Sequence, residues 1–236
     1  MDEDLTGRAA LVTGASSGIG AAVARRLHAL GVRVAVVSRR GGDLGLAGAL
    51  DLTADVRERA AITAAVNRAA GELGGLDIVV ANAGVGVYGP FTELAPEDAE
   101  AMIDTNLKGV INTAAATVPQ LIANGGGDFI SVASVAGVNA FPGEAVYNAS
   151  KFGQVGFVRA LDMELREHGV RCSNICPGGV TTEFAIGTGR TEGDPELDGM
   201  MTADEVADVV LFALTRPRRL RLMTTTFRPM SEGSWG

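Results

Sequence analysis

The sequence predicts a single doubly wound α/β domain, and three features carry that expectation. Short apolar runs rich in β-branched residues alternate with longer, alanine-rich amphipathic segments from one end of the chain to the other. The apolar runs are continuous rather than alternating, as in strands buried on both faces of a parallel sheet. The 236 residues, 47% of them hydrophobic, contain no repeat, linker or low-complexity stretch that would divide the chain into separate cores.

The elements follow in order. Ala9–Thr13 is the first strand, and a glycine turn leads from it into a helix from about Gly20 to Leu30, which Gly31 ends in the left-handed region. Val32 to Val37 and Ala49 to Thr53 are the next strands. Between them Arg40 to Ala47 is short and glycine-rich, so the connecting helix is expected to be vestigial. A helix from about Arg57 to Gly71 precedes the run Leu76 to Val80. A long helix is expected over Pro96 to Ala123, with Pro96 in its first turn and Pro119 kinking its end. The strand Asp128 to Ala133, a helix from Tyr147 to His168 and the strand Val170 to Ile175 come next. Thr202-x-x-Glu205 forms a capping box at the start of the last helix, and Leu220 to Thr226 is the last strand. Thr182 to Met201 shows no periodicity, and so long a loop in a compact domain points to function.

Bulk charge excludes some classes of partner. A net charge of −8 opposes general binding to nucleic acid or to an anionic membrane surface. No apolar run approaches the length of a membrane span. The acidic start, Asp2-Glu3-Asp4, is unlike the basic-then-apolar start of a secretory signal, so a cytoplasmic location is expected. Cys172 and Cys176 lie four apart on an expected strand, roughly 13 Å along one face. That is too far for a disulfide, and without further ligands the pair is a poor zinc site, so both are expected to be buried and reduced. No metal site is expected.

Thr13-Gly14-Ala15-Ser16-Ser17-Gly18-Ile19-Gly20 leaves a strand and opens a helix. A helix N-terminus offers unpaired N–H groups and positive potential, and glycines let a phosphate approach the backbone. Gly14, Ser16, Ser17, Gly18 and Ile19 are therefore candidate phosphate-binding residues, although the spacing Gly-x-x-x-Gly-x-Gly differs from the common dinucleotide fingerprint. The second strand ends in Val37-Ser38-Arg39-Arg40, with no carboxylate for a free ribose 2′-hydroxyl. A guanidinium can clamp a 2′-phosphate, so NADP(H) is expected, with Arg39 foremost and Ser16, Ser38 and Arg40 around it.

Tyr147 and Lys151 stand one helical turn apart, on the same face of their expected helix. An ammonium beside a phenol favours the phenolate, which makes the tyrosine a usable acid or base. The chain has two lysines, Lys108 and Lys151, against eighteen arginines, so a lysine here is notable.

These elements fall in an order that resembles the short-chain dehydrogenase/reductase family in its compact single-domain form: the Thr13–Gly20 turn, Asp55-Val56, Asn82-Ala83-Gly84, Asn106, Ser134, Tyr147, Lys151 and Pro177-Gly178. Ser134 precedes Tyr147 by the family's thirteen positions. The resemblance implies a Rossmann-type sheet of seven parallel strands, with a cofactor half over about residues 1–90, a catalytic and substrate half over about 91–236, and a substrate loop over about 182–201. It implies that Tyr147 exchanges a proton with the substrate oxygen, that Ser134 hydrogen-bonds that oxygen, that Lys151 binds the nicotinamide ribose and depresses the tyrosine pKa, and that Asn106 holds a water leading to solvent. Asp55 and Val56 would meet the adenine. Asn82, Ala83 and Gly84 would support the sheet and cofactor, with a structural role foremost for Asn82. Pro177, Gly178, Val180 and Thr182 would cover the nicotinamide.

The chain departs from the family pattern in reading Ala81-Asn82 where a double asparagine is usual. Its C-terminal stretch, Thr226-Phe227-Arg228-Pro229-Met230, lacks the ending common in ketoacyl reductases and is more like that of small hydroxy-acid and secondary-metabolite dehydrogenases. The expected activity is carbonyl–alcohol interconversion on a small, largely apolar molecule, in a pocket drawn from Val85 to Tyr88, Val135 to Phe141, Glu144 and the loop after Thr182. A homotetramer or homodimer through the long helices is implied as well. The alternative is a cofactor-binding sensor or scaffold without turnover, which the intact Ser134, Tyr147, Lys151 and Asn106 set opposes.

Overall fold

The computed structural model describes residues 3–42, 44–191, 193 and 195–233. Its seven strands are β1 (Ala9–Thr13), β2 (Arg33–Ser38), β3 (Leu50–Thr53), β4 (Ile78–Ala81), β5 (Gly127–Val132), β6 (Val170–Pro177) and β7 (Thr224–Phe227). All pair in parallel, in the order β3-β2-β1-β4-β5-β6-β7. The expected doubly wound sheet is thus present.

Strand periodicity divides the interior into two cores. Ala9 and Leu11 of β1, with Val79 and Ala81 of β4, face α2 (Arg59–Leu73), α4 (Gly109–Ala123) and α5 (Ala145–Leu165). Ala10, Val12, Ile78 and Val80 face the opposite way, onto α1 (Gly18–Ala29) and α7 (Ala203–Leu214). Side chains alternate across a strand, so only continuous apolar runs can fill both cores at once.

The element ends differ from expectation where local chemistry decides them. Helix α2 continues past Gly71, which is exposed, and stops where Gly74 takes φ +73°. The long central helix is not uniform. α3 (Pro96–Met102) passes into a π-helical turn over Ile103–Lys108 before α4 begins. Its end is the expected one: α4 runs to Ala123 with Pro119 inside it and gives way to Gly125 and Gly126 at positive φ. β7 starts at Thr224 rather than Leu220, because Leu220 N–H turns back to Pro217 O at 2.7 Å. No helix connects β2 to β3 among the described residues. The capping box on α7 forms in both directions.

The 182–201 stretch contains one short helix, α6 (Pro195–Asp198), and a bridge that pairs Val180 with Met201. Glu192 and Asp194 fall outside the described residues. Cys172 and Cys176 are buried free thiols, pushed by burial up to about 12 and about 11. β1 pairs with β2 on one side and β4 on the other, so the chain reverses direction across the sheet there. Ligands of open α/β sheets bind beyond the strand ends at such a switch point.

Candidate active site

A cavity of about 790 Å³ lies at that switch point. Of the catalytic and cofactor-binding residues expected from the sequence, all line it except Asn106, whereas only Val135 and Phe141 of the expected pocket stretch Val135 to Phe141 do so.

The glycine turn forms one wall, and each glycine there has its own reason. Gly14 has φ +64°, and a Cβ would stand 2.7 Å from Ala83 Cα. Gly18 has φ +54° and carries the chain into α1. At Gly20 a Cβ would lie 2.4 Å from Gly14 O, so only glycine lets the turn close. Ser17 makes no side-chain cap bond, and the first turn of α1 holds no acid. Its positive end therefore faces the cavity without a competing carboxylate. Asn82 braces the turn: its Nδ2 donates to Thr13 O and Gly14 O, both at 3.1 Å, and its N–H donates to Thr13 Oγ1 at 3.0 Å. The structural role expected for Asn82 thus has a geometry.

Beyond the turn, Arg39 and Arg40 are exposed at the tip of β2. Ser38 is buried and donates to Gly41 O at 2.8 Å, and Asp51 accepts from Gly42 N–H at 3.0 Å beside the two arginines. Asp55 is engaged by Arg57, whose Nη2 donates to it at 2.7 Å. That bond holds the Asp55 carboxyl below its usual range. Val56 is buried against Gly109, where a Cβ would meet Val56 Cγ2 at 2.6 Å. On the opposite rim Pro177 ends β6, Gly178 N–H donates to Phe227 O at 2.8 Å, and the methyl of Thr182 lies over Gly18.

Ser134, Tyr147 and Lys151 meet in the middle. Ser134 follows β5 and caps a short 3-10 turn, its Oγ accepting from Ala136 N at 3.1 Å. Its side chain lines the same cavity as the Tyr147 phenol. Lys151 Nζ lies 5.7 Å from the centre of the Tyr147 ring. It donates to Val132 O at 3.3 Å and to Gln154 Oε1 at 3.1 Å. The depressed phenol pKa implied by the resemblance is not what this geometry gives. Burial is the larger influence on Tyr147 and carries it up to about 12, with Ser134 pulling the other way. Burial likewise lowers Lys151 to about 8.

Asn106 sits one layer behind, in the π-helical turn, and is fully buried. Its Oδ1 accepts from Val85 N at 2.8 Å, while Nδ2 donates to Val85 O at 2.9 Å and Ser150 Oγ at 3.0 Å. The side chain ties the segment after β4 to α5, and its amide is already engaged by protein groups.

Several contributors went unread in the sequence. Gln154 lies three residues beyond Lys151 on the same helical face and links it to Ser131, its Nε2 donating to Ser131 Oγ at 2.6 Å. That spacing was the available signal. Asn148 pins the loop over the site by donating to Ala136 O at 2.7 Å and Asn139 O at 2.8 Å. At the far end, Glu232 accepts from Gly179 N–H at 2.6 Å and pairs with Arg228, so the C-terminal segment closes the cavity. Arg190 and Glu144, both within the pocket expected from the sequence, complete that charged end, and burial raises the Glu144 carboxyl. No local pattern marks a C-terminal residue that returns to a site by tertiary packing.

The family model described as short chain dehydrogenase matches residues 8–193. The chain belongs to the short-chain dehydrogenases. An uncharacterized oxidoreductase of Staphylococcus epidermidis is 34% identical over 229 residues, covering 94% of this chain and 97% of that protein. A glycine betaine reductase of Emericella nidulans is 34% identical over 97% of this chain, which spans only 19% of that relative's length. Among solved structures, the closed form of serine dehydrogenase complexed with NADP+ superposes with TM-score 0.87 at 30% identity, covering 97% of each chain. A short chain dehydrogenase from Mycobacterium paratuberculosis bound to NAD superposes with TM-score 0.86 at 28% identity, covering 97% of this chain and 99% of that one. This short-chain dehydrogenase thus has the fold of enzymes solved with either nicotinamide cofactor.

Proposed function

We propose that this protein is an NADP(H)-dependent oxidoreductase that interconverts a carbonyl and a primary or secondary alcohol, with Tyr147 as acid and base. The observation that carries the reading is Tyr147 itself: its buried side chain lines the cavity together with Ser134, with the Lys151 ammonium one helical turn away, 5.7 Å from the ring centre.

The cavity fits a nicotinamide dinucleotide. Gly14, Gly18 and Gly20 leave a cradle that side chains would fill, beside a helix N-terminus free of acids. Gly14, Ser16, Ser17, Gly18 and Ile19 would hold the pyrophosphate, Asp55 and Val56 the adenine side, and Pro177, Gly178, Val180 and Thr182 the nicotinamide. Arg39 and Arg40, which line the cavity at the tip of β2, support a 2′-phosphate and hence NADP(H). When bound, the cofactor supplies or accepts the hydride.

The chain's own groups manage the proton. With its pKa near 12, Tyr147 holds its proton at neutral pH and is ready to give it to a carbonyl oxygen. Ser134 donates to the same oxygen as negative charge develops there. Lys151, near 8, carries a proton exchangeable in the physiological range, its Nζ 5.7 Å from the Tyr147 ring centre, and would replenish the phenol. Asn106 acts as a positioning residue through Val85 and Ser150. The arrangement favours reduction at neutral pH, since the reverse reaction needs the phenolate. Loss of NADPH-dependent carbonyl reduction in Tyr147→Phe tests the assignment.

We place the enzyme in a reducing, cytoplasmic compartment, in keeping with two buried free thiols. Self-association through α5 is supported by Phe152 and Met163, 46% and 74% exposed on that helix. Light scattering should then give a multiple of the 24.2 kDa chain mass; a monomer at micromolar concentration would refute it.

A further inference from the structure

Lys151 carries a buried ammonium, and a buried cation needs acceptors. Two meet its Nζ: Val132 O at the end of β5, at 3.3 Å, and Gln154 Oε1 on α5, at 3.1 Å. The Gln154 amide is itself buried and turns its nitrogen to the sheet, Nε2 donating to Ser131 Oγ at 2.6 Å and to Val132 O at 3.1 Å. We propose that Gln154 is a positioning residue that acts through Lys151: its amide oxygen holds the ammonium at the cavity and keeps it protonated for exchange with Tyr147. The proposal rests on the assignment of Lys151 as the group that replenishes the Tyr147 proton.

Valence decides which way the amide faces. Val132 O can only accept and Nζ can only donate, so Nε2 must lie toward β5 and Oε1 toward Lys151. The helix beneath is held on both sides of the pair. Asn106 Nδ2 donates to Ser150 Oγ at 3.0 Å, one residue before Lys151, and Asn174 Nδ2 donates to Val155 O at 3.3 Å, one residue after Gln154. Gly137 lets the turn after Ser134 lie against the same stretch, since a Cβ there would stand 2.8 Å from Lys151 O. Among the described residues Val132 and Gln154 take two of the three N–H groups of Nζ. One donor is left for a ligand or for the phenol.

The neutrality of this acceptor matters. A carboxylate in its place would cancel the charge of the ammonium, and an apolar side chain would leave a buried N–H without a partner. The titratable groups on the elements packed around Lys151 leave that role to Gln154. Cys176 of β6 is a buried thiol pushed up to about 11, and the Tyr147 phenol keeps its proton at neutral pH. Asp98 of α3 and Glu144 before α5 line the cavity, and burial raises Glu144. Asp104 in the π-helical turn pairs with Lys108 at 3.5 Å, and Asp162 farther along α5 pairs with Arg221 at 2.7 Å. An amide oxygen bonded to the charged form favours it, against the burial that opposes it.

The chain has two lysines, so protein labelled with carbon-13 at lysine Cε gives two resonances, and Lys108→Arg assigns them. Gln154→Met keeps the packing volume and removes the acceptor. In the cofactor-free protein the Lys151 titration midpoint should then fall by about one pH unit, the scale of one hydrogen bond to a charged group. Lys108 should keep its midpoint, and the high-pH limit of NADPH-dependent carbonyl reduction should fall with Lys151. Should Gln154→Met fail to fold, Ser131→Ala, which removes one of the two groups orienting the amide, should lower the midpoint by a smaller amount. A Lys151 midpoint that stays at its wild-type position in the folded variant would overturn the proposal. A midpoint that falls while the pH profile of reduction stays put would support the hold of Gln154 on Lys151 and place the error in the proton-replenishing role of Lys151.

Discussion

Replacing Lys151 with methionine should abolish turnover and make the cofactor-free protein more stable. Lys151 is 3% exposed, and burial lowers its pKa from 10.5 to about 8. At 1.36 kcal/mol per unit, charging this lysine in the folded state costs about 3 kcal/mol. Methionine removes that cost and fills a similar volume. It also takes a donor from Gln154 Oε1, a loss of about 1 kcal/mol, while Val132 O keeps its bond from Gln154 Nε2 at 3.1 Å. The net gain is about 2 kcal/mol, or roughly 4–8 °C in Tm for a domain of this size.

The pH dependence gives the sign. The folded pKa lies below the unfolded one, so between about 8 and 10.5 the unfolded chain binds a proton that the folded chain does not. Wild-type stability should therefore gain from this group as pH rises through that window, and the advantage of Lys151→Met should shrink and then reverse, leaving the variant about 1 kcal/mol less stable once the charging cost is gone. Urea unfolding of both proteins at pH 7, 9 and 10.5 measures it. A less stable Lys151→Met protein at pH 7, or a difference that does not change with pH, would refute the reasoning.

The other predictions concern cofactor choice and proton transfer. Arg39→Ala should raise the KM for NADPH at least tenfold more than the KM for NADH, because only the former carries the 2′-phosphate; equal effects would remove Arg39 from that role. Carbonyl reduction should stay flat from pH 6 to 7.5, where Tyr147 near 12 and Lys151 near 8 both hold protons. Alcohol oxidation should climb with pH over the same range and beyond, since it needs the phenolate. Parallel profiles in the two directions would contradict the acid–base assignment.

The sheet was legible because its signal is local. Continuous runs such as Ala9–Thr13 and Ile78–Ala81 fill two cores at once, and each glycine of the first turn has its own steric reason. Tyr147 and Lys151 were legible because helical spacing puts them on one face. The ionisation balance was not, because the burial that carries Tyr147 up to about 12 is a tertiary property. The side-chain bonds of Asn106 depend on how the segment after β4 meets α5. Glu232 reaches the cavity through contacts from a distant part of the chain, which no spacing rule records.

The most direct test of the central claim is NADPH consumption by wild type and Tyr147→Phe across a panel of aldehydes, ketones and 3-oxo acids. The account predicts wild-type turnover on at least one member and a fall of about a hundredfold or more in Tyr147→Phe, with NADPH binding retained. Undiminished turnover in Tyr147→Phe would contradict it, as would a wild type that binds NADPH tightly and reduces nothing on the panel.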